Sequence, residues 1–304
     1  MGWKIILGYA VAIFLILLLF FYWVFPLETI DFGAINSRNS NFSLNSYGNE
    51  SMQFYENMRY PSQDVSYKIQ GCTLQKSDEM KKSFEIIENL TILNFYPVIS
   101  NEEILITCDS KIKFEGDLFI AGEGGPINIT RAGYFNVIRQ GAITLIRESK
   151  CENPNVGIHE LFHALGFDHS ENPNNIMYPI SKCSQTIGQD IPDFINWLYS
   201  FQSLPDLTFE NVSATMSGRY LDLNFTVRNQ GLKDSMGVKV EIYADGEIIK
   251  EIESEPLKIG HGRRIVINNI FILQKSIDEL RFFIKTDFEE LDKENNEAIL
   301  KYEN

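Results

Sequence analysis

The run His159-Glu160-Leu161-Phe162-His163-Ala164-Leu165-Gly166-Phe167-Asp168-His169 constrains this chain more than any other stretch. On a helix, His159 and His163 lie four residues apart on one face, one turn from each other. That spacing suits two ring nitrogens at about 2.0–2.1 Å from one zinc ion. Glu160, beside the first ligand, projects toward the metal's open side and can take a proton from bound water. Gly166 permits a reversal with positive φ that returns His169 as third ligand. The fourth position is left to water, which marks a catalytic site rather than a structural one. Of the chain's 4 histidines, only His261 falls outside this run, and Gly260-His261-Gly262-Arg263 reads as an exposed turn without a role.

The flanking residues fit a helix built for the same task. Asn153 reads as the N-cap, with Pro154 at the first helical position, where a missing N–H costs nothing. Ile158, Leu161, Phe162 and Leu165 recur at helical spacing as a core-facing stripe. At about 100° per residue, the two histidines fall roughly a third of a turn from that stripe. One flank of the helix therefore packs under a sheet while another faces a cleft.

With Asn175-Ile176-Met177-Tyr178-Pro179 downstream, the extended motif resembles that of the metzincin zinc endopeptidases, and Ser170 after the third histidine points to the matrixin branch. The resemblance spans roughly residues 60–200 and is strongest over 155–179. It implies zinc ligands at His159, His163 and His169, a general base at Glu160, and a Met-turn residue at Met177 beneath the metal. Two family features are missing: a Pro-Arg-Cys-Gly type prodomain switch and the histidines of a second, structural zinc. Calcium is weighed at Glu115, Asp117 and Glu123 around Gly122-Glu123-Gly124-Gly125. A flexible acidic loop is the preferred reading, because the carboxylates lack the alternation of a calcium loop.

Before the motif, Ile5 to Phe25 runs without a charge. As a helix it is about 31 Å long, enough for a hydrocarbon core of about 30 Å. A cleaved signal peptide has a shorter apolar region ending in small residues, whereas Phe20-Phe21-Tyr22-Trp23-Val24-Phe25-Pro26 is bulky throughout. An uncleaved anchor is therefore expected. Lys4 and the amino terminus lie on one side of it and Glu28 and Asp31 on the other, so the amino terminus reads as inside and the body as extracellular. Cys72, Cys108, Cys151 and Cys183 form an even set without a C-x-x-C pair, which favours disulfides over a metal cluster. Glycosylation sequons begin at Asn41, Asn49, Asn89, Asn128, Asn211 and Asn224. A net charge of −14 argues against a nucleic-acid partner.

Asn36 to Ser51 is dominated by Asn and Ser, so residues 27–60 read as a flexible stalk, although Met52, Phe54, Tyr55 and Met58 offer apolar groups for docking. Next come a strand at Val65–Ile69 and a helix capped by Ser77. Strands at Leu93–Val98 and Glu103–Cys108 follow, and then a pair, Phe135–Arg139 and Ala142–Arg147, around Gln140-Gly141. A closing helix spans about Gln189–Ser200. This order resembles the zincin core, a mixed sheet with an antiparallel edge strand above the metal. The resemblance sets Phe135, Asn136, Val137, Ile138 and Arg139 as that edge, where a peptide substrate would add by backbone pairing. The same sheet order implies that Cys72 pairs with Cys108 and Cys151 with Cys183, out of three pairings open to four cysteines.

After Pro205 the pattern alternates: Leu207–Phe209, Tyr220–Val227, Val238–Tyr243, Ile265–Ile267 and Leu280–Ile284 read as strands, and Asp245-Gly246 as a hairpin turn. Regular spacing of this kind predicts a β-sandwich. With Asn229-Gln230-Gly231 and Asn295-Asn296-Glu297, the segment resembles CARDB-like immunoglobulin-type modules, which implies an adhesive or spacing role with a surface ligand. The expected fold is an α+β zincin-like (metzincin) domain followed by an all-β immunoglobulin-like sandwich, with an N-terminal transmembrane helix. The boundaries are 1–26 anchor, 27–60 stalk, 61–203 zinc peptidase and 204–304 sandwich. The expected function is membrane-anchored zinc-dependent proteolysis outside the cell. The alternatives are an adhesion protein that holds zinc without cutting and a hydrolase of non-peptide amides.

Overall fold

The computed structural model describes residues 2–24, 29–35, 44, 52–111, 114–115, 118–147, 151–274 and 276–302. The chain opens with α1 (Trp3–Val24), a single helix of 22 residues. It is apolar throughout apart from Lys4, and is long enough to cross a bilayer. β1 (Thr29–Ile35) follows. The chain divides into two units, one of residues 43–205 with 230–233 and one of residues 1–42, 206–229 and 234–304.

The first unit contains, in chain order, β2 (Met58–Arg59), β3 (Asp64–Gln70), α2 (Leu74–Leu90), β4 (Asn94–Pro97) and β5 (Ile104–Cys108). β6 (Phe114–Glu115), β7 (Leu118–Phe119), β8 (Gly122–Ala132), β9 (Phe135–Leu145), α3 (Asn155–Ala164) and α4 (Asp190–Tyr199) complete it. β4, β3, β5 and β9 form a parallel run, and β8 lies antiparallel on the outer side of β9. Parallel neighbours require crossovers, and α2 provides the one between β3 and β4. Its apolar face buries Met80, Phe84 and Ile87, and the Phe84 ring stacks on Tyr67 at 4.3 Å.

Three local expectations are corrected here. The helix α2 is capped by Thr73, whose side chain accepts from the Lys76 N–H, and not by Ser77. The extra turn carries Lys76 inward, where its Nζ donates to the carbonyls of Asp109, Leu145 and Ile146 at the ends of β5 and β9. β9 runs unbroken through Gln140-Gly141, and the turn lies instead at Gly133, whose φ is +54°. That register makes Phe135–Arg139 an inner segment, paired with β8 on one side and in part with β2 on the other. Among the described residues, the free edge on this side of the sheet therefore belongs to β8.

Residues 52–60 are not stalk. Gln53 bridges Phe167, its amide and carbonyl close on the backbone of Met58, and Met58, Arg59 and Tyr60 are fully buried. The Arg59 guanidinium lies 4.3 Å from the Tyr199 ring and donates to the carbonyls of Leu198 and Phe201 at the end of α4. A cation there complements the helix dipole.

The second unit adds β10 (Leu207–Ser217), β11 (Tyr220–Asn229), β12 (Val238–Ala244), β13 (Glu247–Ser254), β14 (Gly262–Phe271), β15 (Glu279–Lys285) and β16 (Glu297–Tyr302). Asp245 and Gly246, with φ of 46° and 88°, make the β12–β13 hairpin that their sequence calls for. All strand pairs are antiparallel and fall into two groups, β14-β11-β10 and β13-β12-β15-β16. Alternate residues point inward, and Phe225 and Phe282 meet from opposite groups at 5.5 Å.

β1 joins the two groups. Thr29 to Phe32 pair with Ser217 to Ala214 of β10, and Phe32 to Ile35 pair with Tyr302 to Ile299 of β16. Phe32 is the residue common to both ladders, and it is buried in the sandwich core. This corrects the stalk expectation for 29–35. The alternation of Ile30 and Phe32 with polar neighbours was a strand signal, hidden because an Asn/Ser-rich run follows it. Of that run, 36–43 and 45–51 lie outside the described residues.

Candidate metal centre and cleft

The helix α3 presents the motif. Pro154 sits at the cap position rather than at the first helical turn, and the Asn153 carbonyl accepts the Asn155 N–H. Gly166 takes φ of +96°, and Phe167 N–H closes back on the Phe162 carbonyl. A β-carbon at Gly166 would also meet Met58 Cβ at 2.8 Å, so a side chain is excluded twice over. The reversal brings His169 to the other two histidines.

Hydrogen bonds fix which nitrogen each buried imidazole offers. His159 Nδ1 donates to the Ile176 carbonyl and His163 Nδ1 to the Phe167 carbonyl, both at 2.7 Å. Carbonyls only accept, so the protons sit on Nδ1 and the Nε2 lone pairs face the cleft. His163 Nε2 lies 3.0 Å from His159 Nε2 and 3.1 Å from His169 Nε2. Lone pairs this close repel unless a cation lies between them. Three nitrogens at about 2.0–2.1 Å around a tetrahedral zinc would stand about 3.3 Å apart, so the set fits zinc. Burial lowers the pKa of His159, and burial with the neighbouring His159 lowers His163 to about 4. Both are therefore neutral and ready to ligate at ordinary pH.

The turn after His169 is clamped to the same carbonyl network. Met177 is buried, its N–H donates to Asn175 Oδ1, and its carbonyl accepts from Ser170, next to His169. Its neighbour Ile176 holds His159. Cys151–Cys183 and the Asn155 side chain, which donates to the Lys182 carbonyl, tie this segment to the start of α3. Cys72–Cys108 joins the ends of β3 and β5. These are the two pairings favoured above.

Glu160 is buried beside the three histidines. Burial, and then the charge of Glu123, push its carboxyl up to about 8. A dication held by the three imidazoles would oppose that shift and favour the carboxylate. β8 packs directly on it: a β-carbon at Gly122 would lie 2.7 Å from Glu160 Cγ, and one at Gly124 would collide with the Glu160 carbonyl. The histidines and Glu160 open into a cleft of about 510 Å³, walled by Ile120 to Gly124, Arg147 and Pro179 to Ser181. Phe54, from the segment assigned to the stalk, stacks on His163 with ring centroids 5.7 Å apart. Its apolar neighbours in sequence were the signal that it docks.

Of the carboxylates weighed for calcium, Glu123 lines the cleft, whereas Asp117 and the Glu115 side chain lie outside the described residues. His261 bonds locally to the Ile259 carbonyl and takes no part in the site.

Residues 59–200 match the family model for Matrixin, and residues 204–299 match that for CARDB. The second match begins after β1 and so leaves it out. No curated protein matches the chain. A solved CARDB domain from Pyrococcus furiosus, crystallised with di-metal ions, is similar over 33% of this chain and 88% of that one, at 18% identity and a TM-score of 0.28.

Proposed function

We propose that this chain, which carries a matrixin domain followed by a CARDB domain, is a zinc-dependent endopeptidase of the metzincin type, anchored in a membrane by α1 and working outside it. The observation that carries the reading is the convergence of three Nε2 atoms, with 3.0 and 3.1 Å separations, beside a buried glutamate. His159, His163 and His169 would hold the metal. Zinc, when bound there, lowers the pKa of its water to about 7 and polarises a substrate carbonyl.

The protein's own groups supply the rest. Glu160 accepts the proton of the attacking water and hands it to the leaving amine nitrogen, as a general base and then a general acid. Its packing against Gly122 fixes where that carboxylate can stand. The unpaired edge of β8 offers backbone donors and acceptors to an extended peptide, whose scissile bond then crosses the cleft. The segment Pro179 to Ser181 forms the opposite wall. Retention of Glu160 weighs against a silent adhesion protein, since holding zinc needs only the imidazoles. The sandwich, with its sequence likeness to adhesive modules, would hold or space the peptidase at a surface.

Glu160→Gln tests the assignment. The variant should keep one zinc per chain, read by metal analysis, while turnover of a peptide library falls by at least about 10²-fold. Equal turnover by the variant and the parent would refute Glu160 as the base.

A further inference from the structure

The sandwich unit buries a second group of polar side chains that plays no part in this chemistry. Asp206 stands just before β10, and Glu290 and Asp292 follow β15. Asn295 and Asn296 lie in the short turn Glu294–Asn296 that leads into β16. All five are at least nine-tenths buried, with exposures of 7, 9, 7, 9 and 8% in chain order. Carboxylates at that depth are ordinarily paired with a cation. Here the ion pairs of the unit join Arg228, Lys239, Arg263, Arg281, Lys285 and Lys301 to other carboxylates. Among the described residues, Asp206, Glu290 and Asp292 have no basic partner.

The two amides are oriented by hydrogen bonds. Asn295 Nδ2 donates to Asp206 Oδ1 at 2.9 Å, and Asn296 Nδ2 donates to Glu290 Oε1 at 2.7 Å. Flipping either amide would set its oxygen against a carboxylate oxygen, so neither can flip. Both amide oxygens therefore face away from these carboxylates, and neither accepts a hydrogen bond. Asp292 Oδ2 is equally buried and equally without a donor, while its Oδ1 accepts the Glu294 N–H. Glu290 has no oxygen to spare, because Thr286, Asn296 and the Leu207 N–H occupy it. Five consecutive positions thus hold three buried acceptors that no donor among the described residues reaches, each a cost of about 1–3 kcal/mol if left bare.

We propose that the turn at 292–296 binds a hard divalent cation of the calcium class, with Asp292, Asn295 and Asn296 as ligands and Asp206 and Glu290 orienting the two amides. An all-oxygen donor set of carboxylate and amide carbonyls excludes a soft metal and suits calcium, which also accepts backbone carbonyls and water. A dication held by these acceptors would satisfy them and offset the like charges around them. The charge is otherwise uncompensated: burial, opposed by the Asn295 hydrogen bond, and then Glu290 and Asp292 push the Asp206 carboxyl up to about 6. With a single carboxylate in direct contact, the affinity belongs in the range of about 10⁻⁴–10⁻³ M found in extracellular modules.

Calcium itself is the probe, added to the detergent-solubilised full chain. Millimolar calcium should raise the unfolding midpoint of the sandwich by several degrees, and equilibrium dialysis should find one calcium per chain. In Asp292→Asn, which keeps the shape and removes the charge, the shift and the bound calcium should both be lost. Asn295→Ala removes one ligand oxygen and adds no charge, so calcium should bind more weakly. Absence of calcium binding by the parent chain would overturn the proposal in favour of ordered water. Undiminished binding by Asp292→Asn would place the ion elsewhere and overturn it as well. Zinc content and peptide turnover, unchanged in both variants, keep this outcome separate from the peptidase assignment.

Discussion

Gly122 and Glu160 touch so closely that a β-carbon on the first would lie 2.7 Å from both Cγ and Oε1 of the second. The glycine at the start of the edge strand thus shapes the space of the carboxylate proposed as the base. The obstacle in Gly122→Ala is the far end of a side chain, which can swing aside. The variant should therefore fold and hold zinc while turnover falls by about 10- to 100-fold, since misplacing a reacting group by about 1 Å costs that much. Gly124→Ala meets the Glu160 backbone instead and should cost about 1–3 kcal/mol of stability. Metal analysis, peptide kinetics and thermal unfolding of the two variants separate these effects.

The Cys151–Cys183 bond closes a loop that contains all three histidines and Met177. Replacing both cysteines by serine should lower stability by about 2–5 kcal/mol. It should also weaken zinc retention against a chelator, because the segment that holds His159 through Ile176 loses its covalent tie to the start of α3. Competition with a zinc-binding dye would measure the loss.

Phe32 belongs to two ladders and to the sandwich core. Phe32→Ala should cost about 3–5 kcal/mol, as other buried Phe→Ala changes do. Calorimetry of the full chain should show the sandwich transition moving down and the peptidase transition staying in place. A flexible tether at 29–35 would leave both unmoved.

Asp206 gives the sandwich a pH dependence of a definite sign. Its folded pKa of about 6 lies above the ordinary value of 3.8, so the folded state holds the proton that the unfolded state has released. Between those values the fold binds more protons, and stability rises as the pH falls through 6. Without divalent cations, the midpoint for the sandwich should be higher at pH 5 than at pH 7, and Asp206→Asn should flatten that slope.

Local signals made much of this molecule legible. The histidine spacing and Gly166 state their own geometry, and Asp245-Gly246 states its hairpin. The edge strand was misplaced because Gln140-Gly141 looks like a turn, although a longer strand passes through it and the real turn is at Gly133. Register in a sheet depends on partners far away in sequence, which spacing does not reveal. The same limit hid β1, a short apolar segment beside an Asn/Ser-rich run whose partner strands lie far away in sequence; the apolar residues of 52–60 did signal docking, but not its partners. The buried group at 206 and 292–296 was hidden too, because acidic loops look alike until their burial is known.

The path of the chain has one more consequence. It enters the sandwich through β1, leaves to build the matrixin unit, and returns through β10, so in connectivity that unit is an excursion from the sandwich. With α1 as the proposed anchor, hydrolysis within 36–51 would therefore not by itself shed the rest of the chain from a bilayer. The severed anchor would still be zipped into the sheet by its four pairings with β10 and four with β16. Release would have to wait for that strand to peel away.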